Sequence, residues 1–403
     1  MYALLFADSG LSTAQISTLL IIWSLTSVIV EIPSGVLADL VPRRRLLGAA
    51  PLLAAAGFAL WILVPAYPSF AVGFVLWGTG LSFASGALQA LVYDELLRAG
   101  AARDYARLIG RSRALGTVAM VVAGAAAAPL MAFGGYTAVA AVSIVSALAA
   151  APLGFTFPEG PRPTEDAPAG DAPAEDAPAE DVPAAKKAAT GTAPDRGPGP
   201  GPLARILAPH IAVARTALTE VRRVPGARRA LLAFAVLTGL TGLEEYLPFL
   251  ARSTADGIGG TALVPILLLP FFAAVAAGEW FAGRGTRHAA VLTAAGAVLL
   301  AAGALTGHPL GMLPVGAAFG VLAWASVAAE TRLQDAVSSR ARATVLSMSG
   351  LGAETVGIAL FAAYGLGSAV AGPGTLFAAA SLGLLAVAPA LRRRERGPRA
   401  GRY

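Results

Sequence analysis

The sequence predicts an all-α integral membrane protein, and three observations carry that reading. Of 403 residues, 56% are hydrophobic and only 13% charged, against about 25% charged in soluble domains. So few charges cannot cover a soluble surface of this size. Apolar runs of about 20 residues, the length of a helix that crosses a bilayer, recur along most of the chain, whose mean hydropathy is +0.68. The runs are continuous and lack two-residue alternation, which excludes a β-barrel.

In chain order the spans read 13–37, 46–64, 70–92, 114–133 and 137–155, then 230–250, 261–281, 289–306, 310–329, 344–367 and 375–391, eleven in all. Their Gly, Ala and Ser content suits close helix–helix approach in lipid. Between the two groups, residues 156–202 carry eleven prolines, repeated Glu-Asp-Ala-Pro units and no aromatic residue after Phe157. Such a tract cannot bury apolar area and reads as a disordered, extended spacer. Residues 203–229 read as an amphipathic basic helix at the membrane surface. The expected units are therefore a bundle at 1–155, a linker at 156–202, the basic helix at 203–229, a six-span bundle at 230–391 and a basic tail at 392–403.

The charge of +6 is not spread evenly. Arg43–Arg45 follow the first span, Arg98 to Arg113 the third, Arg284 and Arg287 the seventh, and Arg332 to Arg342 the ninth; the linker, basic helix and tail hold the rest. In an alternating topology all of these fall on one side, and Arg252 alone of the 30 Lys and Arg falls on the other. The positive-inside rule makes the Arg-rich face cytoplasmic, with the linker and C-terminus there. A topology anchor explains each cluster, and no aromatic interleaving supports nucleic-acid binding. Zero Cys excludes disulfides and Cys chemistry, and the three His (His210, His288, His308) lie too far apart in sequence for a His-rich metal site. No P-loop is present, so neither an ATP-driven pump nor another enzyme is expected. No cofactor is expected either.

Gly35-Val36-Leu37-Ala38-Asp39-Leu40-Val41-Pro42-Arg43-Arg44-Arg45 resembles the G-x-L-A-D-x-x-G-R-R loop of the major facilitator superfamily, with Pro42 in place of the second glycine. Gly278-Glu279-Trp280-Phe281-Ala282-Gly283-Arg284 is a weaker echo, with Gly283 where the aspartate would align. Gly124 and Pro129 match the spacing of a fifth-span motif of drug antiporters, whereas Ala128 replaces a glycine and the final Gly134-Gly135 pair is shifted. The resemblance implies two helical bundles rocking about a midplane cavity. It also implies twelve spans, so 13–37 would be family span two and 1–8 the last turns of span one. The expectation is a truncated first span, with about 15–25 residues missing upstream; the alternative is an eleven-span chain with its N-terminus outside.

Charged residues within spans are costly and functional by default. Glu31, Glu354 and the Glu244–Glu245 pair are the candidates for proton coupling, since alternate exposure lets a buried carboxyl take and release a proton. The resemblance assigns Asp39, Arg43 and Arg44 to gating, and Asp94, Glu95 and Arg111 to further ion pairs at the same ends. Gln89, Tyr93, Trp77, Tyr246 and Trp324 are candidates to line the cavity. The function expected is proton-coupled efflux of small hydrophobic compounds by a monomer in the cell membrane, whose partners are lipid, substrate and protons. Proton-coupled uptake of a metabolite is the alternative within the fold, and a non-transporting scaffold or inactive truncated transporter the alternative outside it.

Overall fold

The computed structural model describes residues 1–160 and 225–392, apart from 257, 259, 283, 285, 337 and 338. Most of the expected linker, the expected basic helix up to residue 224 and nearly all of the tail lie outside the described residues.

All regular structure among the described residues is helical. The first half comprises α1 (Tyr2–Asp8), α2 (Thr13–Leu40), α3 (Arg43–Leu63), α4 (Tyr67–Arg98) and α5 (Tyr105–Thr156). The second comprises α6 (Pro225–Thr241), α7 (Leu247–Ala255), α8 (Val264–Leu267), α9 (Leu269–Trp280), α10 (Ala289–Leu305), α11 (Met312–Ala336), α12 (Ser339–Gly367) and α13 (Pro373–Val387). The 3₁₀ segment Gly242–Tyr246 joins α6 to α7.

Local sequence explains the boundaries. Ser12 opens α2 with a capping box: its hydroxyl accepts from Gln15 N, and the Gln15 side chain accepts from Ser12 N at 2.9 Å, which pairs two backbone N–H groups left over at a helix start. Val41 and Pro42 separate α2 from α3, and Pro42 as N-cap turns the chain before Arg43. α2 and α4 run past their apolar cores to Leu40 and Arg98, so their last turns leave the hydrocarbon at the Arg-rich end.

α5 has 52 residues, about 78 Å if straight, more than twice the roughly 30 Å hydrocarbon core. It reverses at Gly135, where φ 58° and ψ −150° belong to a region that only glycine occupies easily. The Tyr105 ring meets Tyr93 edge-on at 5.6 Å, and Glu159, beyond the other end, accepts from Arg43 N at 2.8 Å. Both ends of α5 therefore lie at the Arg-rich end, and its bend lies at the far end.

The sequence reading draws eleven spans, whereas nine helices among the described residues are long and apolar enough to cross a membrane. Two features account for the difference. Leu115–Thr156 counts once although it doubles back, and Ala289–Leu305 is apolar but has only 17 residues.

Within the first half α3 packs on α4 and α5, and within the second α11 packs on α6, α9 and α10. These contacts are close because glycines face backbone. A Cβ on Gly278 would stand 2.1 Å from the Gly320 carbonyl oxygen, so α9 and α11 touch main chain to main chain, as membrane helices do at small residues. The halves meet chiefly along α2 and α12.

Candidate functional site

At the far end, three polar contacts cross between the halves. The Tyr2 hydroxyl donates to Glu245. The Ser17 and Tyr246 hydroxyls share a hydrogen bond of 2.6 Å, with both residues buried. Arg252 donates to Asp8 at 2.5 Å, and Tyr136 donates to the other Asp8 oxygen at 2.6 Å. Tyr246 also stacks on Tyr364 with ring centroids 3.6 Å apart. Beside them α2 and α12 are nearly in contact, since a Cβ on Gly365 would lie 2.8 Å from Ser17 Cβ. These groups seal the far end.

Below the seal is a cavity of about 390 Å³. α2 contributes Trp23, Ser24, Ser27 and Glu31, α4 contributes Leu81, Ser82 and Ser85, and α12 contributes Glu354. Each half thus places one carboxylate on a shared wall. Ser24 lies on the same wall as Glu354, and the two glutamates are close enough to feel each other's charge. Glu31 is exposed to this space. Pro33 sits inside α2, two residues beyond Glu31; lacking an N–H, it frees the Ile29 carbonyl from the helix ladder and permits a bend there. Glu354 stands near the middle of α12.

At the Arg-rich end the described polar contacts stay within a half. Arg43 pairs with Asp94, Glu159 accepts from the backbone N of Arg43 and Arg44, and Glu95 accepts from Arg98 at 2.5 Å and from Gly160 N at 3.0 Å. In the second half Arg332 donates to the Leu391 carbonyl at 2.6 Å. The Asp39 side chain lies outside what the structure describes. Arg44 and Arg111 are exposed.

The sequence-derived candidates divide accordingly. Glu31 and Glu354 share the cavity. Glu244 is exposed within the 3₁₀ segment, whereas its neighbours Glu245 and Tyr246 belong to the seal. Trp77 is not on this wall; it stacks behind Trp23 at 5.2 Å and faces a separate space of about 200 Å³ inside the first half. Gln89 is exposed and Tyr93 packs on Tyr105, both apart from the described wall. Trp324 is buried and donates to the Arg284 carbonyl at 3.0 Å. Its ring packs within the second half.

Sequence reasoning missed Asp8, Tyr136, Arg252, Tyr2 and Ser17 as a seal, and Trp23 with the serines as a wall. Arg252 had a signal, being the lone basic residue on its side. Its partner lies 244 positions away, beyond the reach of any local pattern.

The profile of the Major Facilitator Superfamily matches residues 1–362. Among solved structures, a point mutant of the nucleoside transporter NupG superposes with a TM-score of 0.70 at 12% identity, over 97% of this chain and 93% of that one. NupG itself gives a TM-score of 0.67 at 11% identity, over 96% and 92%. A bacterial homologue of the human lysosomal transporter Spinster, in an inward-facing and unoccupied conformation, gives 0.57 at 16% identity, over 97% and 92%. These likenesses establish a common fold. No curated protein sequence matches the chain.

Proposed function

The chain belongs to the major facilitator superfamily, and on that premise we propose that it is a proton-coupled exporter of small, largely apolar compounds. One observation carries the reading: Glu31 from the first half and Glu354 from the second face the same midplane cavity. A carboxyl that is reached first from one side and then from the other can pick up and release a proton as the halves rock. The Arg-rich end is the cytoplasmic one on this reading, and the protein works as a monomer in the cell membrane. The bundles at 1–155 and 230–391 are the rocking bodies, and residues 156–202 and 203–229 connect them on the cytoplasmic side. Arg43, Asp94, Glu95, Asp39, Arg44 and Arg111 steady the cytoplasmic ends, whereas Glu245 and Tyr246 hold the outer side shut.

The serines on the cavity wall favour a second reading, uptake of a polar metabolite, which the likeness to a nucleoside transporter also fits. One experiment separates the two. Cells overproducing the protein should accumulate less of a lipophilic fluorescent dye, an uncoupler should erase the difference, and Glu31→Gln or Glu354→Gln should each abolish it. Unchanged dye levels together with solute-driven proton influx would replace export by uptake.

A further inference from the structure

The cavity wall is chemically one-sided. Its two charges are both carboxylates, Glu31 and Glu354, and among the described residues it carries no Lys, Arg or His. Three of its four serine hydroxyls donate to backbone carbonyls. Ser27 donates to the Trp23 carbonyl at 3.2 Å, Ser82 to the Gly78 carbonyl at 3.1 Å and Ser85 to the Ser82 carbonyl at 3.3 Å. Ser24 shares the wall with Glu354. As arranged, those three hydroxyls point their protons at the backbone and turn lone pairs toward a ligand. The one nitrogen donor on the wall, Trp23 Nε1, is buried and has no partner among the described residues. A solute entering here meets acceptors and negative charge, with a Trp23 ring and Leu81 as the apolar surface.

We infer that the cargo is an amphiphilic organic cation: a protonated amine seated between Glu31 and Glu354, its apolar body lying along Trp23 and Leu81. Charge-assisted N–H···O bonds are about twice as strong as neutral ones, and an aromatic face adds to the attraction for a cation. An anionic solute would bring a third negative charge beside the two glutamates, and a neutral solute rich in acceptors would find few donors. This specificity rests on the proposed transport reading only for its consequence: the amine and the proton would compete for one pair of carboxylates, so cargo leaves where protons enter.

Binding to the purified full-length protein in lipid nanodiscs tests the inference with three probes that share one ring, naphthylethylamine (cation), naphthylethanol (neutral) and naphthylacetate (anion). The amine should bind at least about tenfold more tightly than the alcohol, and the acetate should bind most weakly. Glu31→Gln and Glu354→Gln should each cut amine affinity about tenfold while leaving the alcohol's affinity and the thermal midpoint in place, which certifies the fold. An alcohol that binds as tightly as the amine, or glutamine variants that bind the amine as well as the parent, would overturn the cationic class. Proton-coupled export of neutral solutes would still stand in that case. Conversely, tight glutamate-dependent amine binding with no movement of solute or protons in proteoliposomes would keep the binding class and remove the transport reading.

Discussion

Two tyrosines in the seal differ by a single hydrogen bond. The Tyr246 hydroxyl bonds Ser17, whereas the Tyr364 hydroxyl, stacked against it, is buried with no partner among the described residues. Removing a made bond costs about 1 kcal/mol, and removing an unmade one costs nothing or stabilises. Tyr246→Phe should therefore lower stability by about 1 kcal/mol while Tyr364→Phe leaves it level or higher, as read from denaturant midpoints in detergent; equal losses would contradict the geometry. At this scale the sequence was legible where a charge sits in an apolar run, because desolvation makes such a charge conspicuous. Glu31 and Glu354 stood out for that reason. Trp23 and the serines did not, since each is common in membrane helices, and only the fold brings α2, α4 and α12 around one space.

Among the elements, α5 carries the sharpest constraint. Its bend rests on Gly135, whose positive φ strains any residue with a Cβ although open space surrounds it. Gly135→Ala should cost about 1–3 kcal/mol, visible as a lower unfolding midpoint, while Gly116→Ala in the same helix, also facing open space at ordinary helical angles, should cost nothing. The sequence reading placed a break between 133 and 137, and the chain does turn there, because two glycines interrupt an otherwise unbroken apolar run. The segment after α6 keeps its apolar character but not a uniform helix. The apolar span expected over 230–250 lies within Gly226–Ala255, and inside it the chain tightens into a 3₁₀ turn at Gly242–Tyr246. That turn aims Glu245 and Tyr246 at the first half, an outcome that depends on partners in α1 and α2 rather than on local propensity.

For the whole molecule, the proposed transport cycle requires that the far-end seal open. The chain contains no cysteine, so a single engineered pair can be read cleanly. Ser17→Cys combined with Gly365→Cys brings two Cβ atoms close enough to bridge after slight adjustment. Oxidation should stop transport and reduction should restore it, while amine binding survives in the locked state. Undiminished transport by the oxidised form would mean that the seal does not take part in the cycle. The two-bundle plan was legible in the sequence because its charge asymmetry and motif loop are written locally. The state of closure was not, because it depends on contacts such as Tyr2 with Glu245, 243 positions apart. The mid-depth carboxylates have one more consequence, an electrical one. Moving an elementary charge across a membrane is worth about 2.3 kcal/mol per 100 mV, and a site half-way through divides that between entry and exit. If one cationic amine departs for each proton that arrives, no net charge crosses. The exchange would then follow the pH difference alone, indifferent to membrane voltage, so a cell that has lost its potential but kept its proton gradient would still be able to clear the solute.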